Sequence, residues 1–159
     1  MTDVPFEITL LVRDTCLCLA AQKAARALAR HFDEALRPLD LTNGQFSLLM
    51  SLNRPKPPPI GPVAELLAMD RTTLTAALKP LERRRLIRVE VDPTDRRNRL
   101  LILTVKGRNL LAKAVPLWKH HHRKIEARLQ SSDSLRRELA VLCNVAPGDP
   151  TPMANNREK

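Results

Sequence analysis

Three arginines, Arg96, Arg97 and Arg99, fall on the segment Asp92 to Arg99 between two short apolar runs. Guanidinium groups on a turn between strands serve a core badly. They serve a narrow A·T minor groove well, because that groove concentrates negative potential that a guanidinium can enter. Just upstream, Arg71, Thr72, Thr73, Thr75 and Lys79 place small polar and cationic groups on the first turns of a basic helix. A helix entering a major groove uses such groups to meet base edges and phosphates. The bland reading is a solvated helix face and a turn stiffened by an Asp95–Arg97 pair. The two are compatible, since a pre-ordered tip loses less entropy on docking. The chemistry indicated is recognition of double-stranded DNA rather than bond making. The sequence has no glycine-rich phosphate loop and no nucleophile elbow, and only four glycines, so neither catalysis nor a cofactor is expected.

The placement of charge points the same way. The formal net charge is +10 over 159 residues, and between Arg71 and Arg108 eleven Lys/Arg face four acids, a surplus of seven. A concentrated basic footprint is what counterion release from phosphates requires. A basic membrane-surface helix would gather its charges on one amphipathic face; here they spread over a helix, a hairpin and a helix start. No apolar run reaches the roughly 18 residues that a bilayer span needs. Asp3 and Glu7 stand where a secretory leader would be basic, so the expected place is the cytoplasm, without membrane contact. Cys16, Cys18 and Cys143 form no zinc pattern, and an odd number in a reducing compartment reads as free thiols.

These residues need a scaffold, and hydrophobic periodicity supplies one. Leu17, Ala21, Ala24, Leu28, Phe32, Ala35 and Leu39 recur at steps of three or four, predicting one long helix from about Thr9 to Leu36 that Pro38 stops. Thr42 caps a second helix, Gln45 to Leu52, with Phe46, Leu48, Leu49 and Leu52 inward. Prolines 55, 57, 58 and 59 make Arg54 to Pro59 a loop. A short helix from Pro62 to Leu67, the turn Ala68-Met69-Asp70 and a helix from Arg71 to Arg85 capped by Asp70 follow. Leu86 to Val91 and Leu100 to Thr104 read as the two strands of a wing. Thr104 then caps a helix to about Gln130, with Leu110, Ala114, Leu117, His121, Ile125 and Leu129 on one stripe and a kink ahead of Pro116. Asp133 caps a last helix through Leu135, Leu139 and Leu142.

The fold class is mainly α with a small β-hairpin wing: a winged helix-turn-helix flanked by helical dimerisation arms. One domain is expected over residues 1–147, with arms at about 9–37 and 108–145 and the DNA-binding part at about 42–105. Residues 148–159 read as a disordered tail. Apolar stripes at both chain ends exceed what the small central part can bury. Two copies packing their termini would bury them and set two recognition helices about one DNA turn apart.

Val63-Ala64-Glu65-Leu66-Leu67, Asp70-Arg71-Thr72-Thr73-Leu74-Thr75, Leu81-Glu82-Arg83-Arg84-Arg85-Leu86-Ile87 and Asp92-Pro93-Thr94-Asp95-Arg96-Arg97 followed by Leu103-Thr104-Val105-Lys106-Gly107 resemble the MarR family over roughly residues 15–142. The resemblance implies a homodimeric regulator, usually a repressor, that binds a pseudo-palindromic operator and releases it when a small molecule or oxidant acts. It assigns Arg97 to the minor groove and Arg96 and Arg99 to phosphates, and it places an effector pocket between arms and DNA-binding part, with Trp118, Phe32 and Phe46 as candidate lining. Two positions depart from the family pattern: Arg85 stands where a glycine usually ends the recognition helix, and Ala76 where many members carry a DNA-contacting arginine. The contrasting class is an architectural DNA-binding protein without an effector, which would show little sequence preference.

Leu17-Cys18-Leu19-Ala20, with Arg26 and Leu41-Thr42 beyond, resembles the organic-hydroperoxide sensors within the family, which implies a redox-sensing role for Cys18. That branch uses two tyrosines at positions that hold Phe32 and Asn43 here. By residue type alone, Cys18 reads as a small buried apolar side chain. Cys16, about 200° around the helix, is not expected to share a metal or disulfide with it. His120-His121-His122 diverge by about 100° per residue and read as a basic solvated turn rather than a metal site.

Overall fold

The computed structural model describes residues 3–144; the expected tail at 148–159 lies outside them. In chain order the elements are α1 (Phe6–Thr15), α2 (Leu17–Leu36), a 3-10 turn (Arg37–Leu39), α3 (Asn43–Ser51), α4 (Ile60–Leu66), α5 (Arg71–Arg83), β1 (Ile87–Val91), β2 (Arg99–Leu103), α6 (Val105–Glu126) and α7 (Ser132–Cys143). They form two compact units whose boundary falls within α6, one up to His121 and one from His122 on.

The single N-terminal helix expected from the periodicity is in fact two. Cys16 leaves the helical region with φ −71° and ψ 107°, donates its N–H to the Val12 carbonyl and becomes the N-cap of α2. Its Sγ accepts the Leu19 N–H at 3.4 Å, while the Thr15 hydroxyl closes α1 on the Leu11 carbonyl at 2.7 Å. The apolar stripe of α2 is buried within the chain only at its end, by Phe32 and Ala35. Leu17 and Leu28 remain 67% and 44% exposed, and Phe6 and Leu11 of α1 67% and 56%.

The core of the first unit gathers Leu36, Leu48, Leu49, Val63, Leu74, Leu81 and Leu101, none more than 2% exposed. Each such side chain contributes roughly 1.5–3 kcal/mol on burial. Helix α3 starts with a reciprocal cap in which Thr42 accepts the Gln45 N–H and the Gln45 side chain accepts the Thr42 N–H. Three helical segments end on non-glycine residues in the left-handed region: Asp40 at φ 52°, Ala68 at φ 50° and Arg85 at φ 58°. Each end makes the same pair of backbone bonds, seen after α5 as Arg85 N–H to Glu82 O (2.8 Å) and Leu86 N–H to Leu81 O (2.9 Å).

Strands β1 and β2 pair antiparallel, from Ile87 opposite Leu103 to Val91 opposite Arg99. The proline loop adds a short third rung: Pro58 O accepts the Leu101 N–H at 2.9 Å and Pro59 bridges Leu100. Helix α6 runs through Pro116 as one element and buries Gly107, Leu111 and Ala114. It stops at Glu126, so Leu129, expected on its stripe, lies beyond it and is 38% exposed.

In the second unit the cap of α7 is Ser131, whose hydroxyl accepts the Ser134 N–H, and not Asp133. Asp133 sits in the first turn and pairs with Arg136 at 2.6 Å; Arg136 also reaches Glu126 at 2.9 Å. Leu135, Leu139 and Leu142 are all more than 40% exposed.

Candidate nucleic-acid interface

Helix α5 turns Leu74, Leu78 and Leu81 into the core and leaves Arg71, Thr72, Thr73, Thr75, Ala76 and Lys79 exposed. Thr72, Thr75, Ala76 and Lys79 share one stripe at steps of three and four. Asp70 fixes where that stripe begins. Its carboxylate accepts the Thr73 N–H at 2.8 Å and the Thr73 hydroxyl at 2.5 Å. Those bonds hold its pKa below the usual carboxylate value, the Thr73 hydroxyl contributing most. The Thr73 hydroxyl proton is thereby committed to the cap, and the Thr75 hydroxyl donates to the Arg71 carbonyl at 2.7 Å. Each retains acceptor capacity only.

The wing is ordered by its own carboxylates. Asp92 accepts both the N–H and the hydroxyl of Thr94, at 2.8 and 2.6 Å, which lowers its pKa. Asp95 takes the Arg97 backbone N–H at 3.0 Å and the Asn98 amide at 3.2 Å. The expected Asp95–Arg97 ion pair is thus replaced by a bond to the Arg97 backbone, and its guanidinium is not paired with Asp95. Arg99 donates to the carbonyls of Arg96 (3.1 Å) and Asn98 (3.4 Å). Among the described residues, Arg96, Arg97 and Arg99 form no ion pair with an acid.

A cleft of about 340 Å3 joins wing to recognition helix and is bordered by Arg71, Thr75, Arg97 and Arg99 together with Gly61. Thr72, Thr73, Lys79 and Arg96 do not border it. Gly61 escaped the reading of the sequence. A Cβ there would stand 3.2 Å from the Arg71 guanidinium, so its small size lets Arg71 lie back across the start of α4.

The end of α5 is tied to the start of α6. Thr104 donates its N–H to the Leu86 carbonyl at 3.1 Å, and its hydroxyl reaches the carbonyls of Arg85 (2.9 Å) and Leu86 (3.0 Å) while accepting the Gly107 N–H (3.0 Å). A Cβ on Gly107 would meet the Leu86 oxygen at 2.2 Å. The Leu-Thr-x-x-Gly pattern thus has a physical content: hydroxyl stitching and a backbone approach that only glycine permits.

Cys18 is exposed, which corrects its reading as a buried apolar residue. Its Sγ accepts from the Gln22 amide at 3.1 Å, and Gln22 in turn accepts from Arg26 at 3.2 Å. Cys16 caps α2 rather than lying within a helix, so the angular argument separating it from Cys18 does not hold. His121 faces His31 of α2 across 3.0 Å, whereas His122 meets Glu126 at 3.4 Å.

A second cavity, of about 530 Å3, is lined by Phe46, Met50, Leu66, Leu67, Val115, Trp118 and Lys119, together with two serines. Phe46 and Trp118 stack with centroids 6.2 Å apart. Phe32, expected with them, is instead buried edge-on against His31.

The MarR family model matches residues 41–98, from the start of α3 through the wing. Transcriptional regulator HosA of Escherichia coli O111:H- is 36% identical over 80 residues, covering 49% of this chain and 58% of HosA. HTH-type transcriptional regulator TtmR of Methylorubrum extorquens is 34% identical over 100 residues, covering 63% and 51%. The chain thus spans little more than half the length of these curated relatives. Among solved structures, the Mycobacterium tuberculosis transcriptional regulator MosR in complex with DNA is 36% identical with a TM-score of 0.75, covering 82% of this chain and 99% of MosR. The transcriptional repressor CouR bound to a 23-mer DNA duplex is 28% identical with a TM-score of 0.70, covering 92% and 100%. No described helix is long and apolar enough to cross a membrane.

Proposed function

The chain belongs to the MarR family, and on that premise we propose that it is a homodimeric repressor of transcription that binds a pseudo-palindromic operator in the cytoplasm and releases it to a small molecule or oxidant. The observation that carries the proposal is the cleft that brings Arg71 and Thr75 of α5 together with Arg97 and Arg99 of the wing, arginines that form no ion pair among the described residues. Thr72, Thr73, Thr75 and Lys79 lie along the major groove, with Arg71 on a phosphate. Arg97 enters the minor groove, and Arg96 and Arg99 hold the flanking backbone. The exposed apolar stripes of α1, α2 and α7 are the surfaces a second copy covers, so the arms fall at about 9–37 and 108–145 around a DNA-binding part at about 42–105. MosR and CouR, both solved on DNA, support this reading over an architectural one.

Two routes of release are open to this chain. The cavity beneath Trp118 suits an apolar, planar effector. Cys18, with the Gln22 and Arg26 donors behind it, suits oxidation by a hydroperoxide.

Fluorescence anisotropy at near-physiological salt tests the whole. A duplex from upstream of the protein's own gene should bind more tightly than its scrambled version, and Arg97→Ala should weaken that binding by about 5- to 100-fold. Equal affinity for both duplexes would overturn sequence-specific repression. Release by an organic hydroperoxide, reversed by reductant and absent in Cys18→Ser, would assign the switch to Cys18; indifference to peroxide would remove that role.

A further inference from the structure

A third cavity, of about 500 Å3, opens where the end of α5 meets the start of α6. Its apolar lining is Leu86, Val105 and Leu110; its polar lining is Arg84, Lys106, Asn109 and Lys113. Lys106, Asn109, Leu110 and Lys113 are spaced as one face of α6, so two ammonium groups two helical turns apart flank Asn109 and Leu110, with Val105 beside them. Arg84 is already engaged: Asp40 pairs with it at 3.3 Å and offers it a carbonyl at 2.6 Å. Lys106 donates to the Arg84 carbonyl at 2.9 Å, a neutral acceptor. Lys113 is exposed and meets no acid among the described residues. Val105, although apolar, is 65% exposed beside these charges.

Two lysines without acid partners beside an apolar wall, with no carboxylate among the described lining residues, fit an amphiphilic anion better than an inorganic ion or a neutral hydrocarbon. We propose that this cleft binds a molecule with a carboxylate head and an apolar body, the body over Val105 and Leu110 and the head between Lys106 and Lys113. Four-carbon stems let both ammonium groups reach one head. The site is separate from the DNA-facing surface and from the cavity beneath Trp118.

Occupancy has a structural consequence. The head competes with the Arg84 carbonyl for Lys106, so the C-terminal end of the recognition helix gives up the cation that complements its negative dipole end. Binding is therefore felt at the end of α5 without any ligand contact to its DNA-facing side.

The test is a titration of the full, 15N-labelled chain with decanoate, with 1-decanol and acetate as contrasts. Decanoate should give saturable amide shifts at Val105, Asn109 and Lys113, and at Arg84 to Leu86 as Lys106 leaves its carbonyl. Each contrast compound should bind at least fivefold more weakly. Lys113→Gln and Val105→Ser, both at exposed positions and each expected to keep the wild-type circular dichroism spectrum and melting temperature, should weaken decanoate at least fivefold. Equal binding of 1-decanol, unchanged affinity in both variants, shifts centred on Phe46 and Trp118, or no saturable shift would each overturn the proposal.

Discussion

Replacing Arg85 with glycine should stabilise this protein, although it removes a side chain and adds nothing. Arg85 is held at φ 58° by the two bonds that end α5, Arg85 N–H to Glu82 O and Leu86 N–H to Leu81 O. A residue with a Cβ pays about 1–2 kcal/mol for that left-handed conformation. Glycine pays almost nothing there, but its freer unfolded chain costs about 0.4–1 kcal/mol. The difference is a net gain of about 1 kcal/mol. Among the described residues, the exposed Arg85 side chain makes no ion pair that would offset the gain. Thermal and urea unfolding at one fixed protein concentration would read it, the melting temperature rising by roughly 2–6 °C. Arg85→Ala separates the causes: it removes the same side chain but keeps the Cβ, so it should show little of the gain. If Arg85→Gly unfolds at lower urea than wild type, or if Arg85→Ala gains as much, backbone strain is not what position 85 carries.

Gly107→Ala should cost about 3 kcal/mol or more, because its Cβ would meet a backbone oxygen at 2.2 Å that cannot swing aside; wild-type unfolding midpoints would contradict the close approach. The cap at Asp70 gives a pH signature. Its folded pKa is lowered from 3.8, so its contribution is complete above that value and is lost as the pH falls through the lower, folded one. Asp70→Ser keeps an acceptor without the titration, so its deficit relative to wild type should shrink between pH 6 and pH 3 in urea unfolding; an unchanged deficit would remove the charge from the cap.

What the sequence disclosed and what it hid follow the range of the interactions. Asp70, Thr42 and the prolines act within four residues of themselves, and each was readable: the caps, the loop at 54–59 and the recognition helix stand where local chemistry puts them. The wing was readable for the same reason, since Asp92 and Asp95 bond to residues two and three ahead. The break at Cys16 was not, because no glycine or proline marks it and the apolar spacing continues through it. Ser131, Ser132 and Asp133 are all good caps, and residue type alone did not choose among them. Contacts across long separations left no local trace at all. His31 and His121, 90 residues apart, and the closeness of Gly61 to Arg71 depend on how helices pack. Arg85 is an intermediate case: the unusual backbone was legible as a missing glycine, but only by resemblance.

The way α5 ends also bears on how any effector would reach DNA. A flexible connection between the recognition helix and α6 would absorb a shift of α6 and leave the DNA-facing side chains in place. This connection is the opposite. The Leu86 carbonyl receives the N–H and hydroxyl of Thr104 and lies against Gly107, Lys106 holds the carbonyl of Arg84, and Arg108 holds that of Leu103 at 2.9 Å. Only five residues of β1, the wing and five residues of β2 separate those partners in sequence, and the hairpin is itself laddered throughout. Interfaces packed this closely switch between discrete arrangements instead of deforming gradually. A displacement at the start of α6 therefore moves α5 and the wing as one body, and in the proposed dimer a ligand need only favour one position of that body to change the spacing of two such helices on an operator.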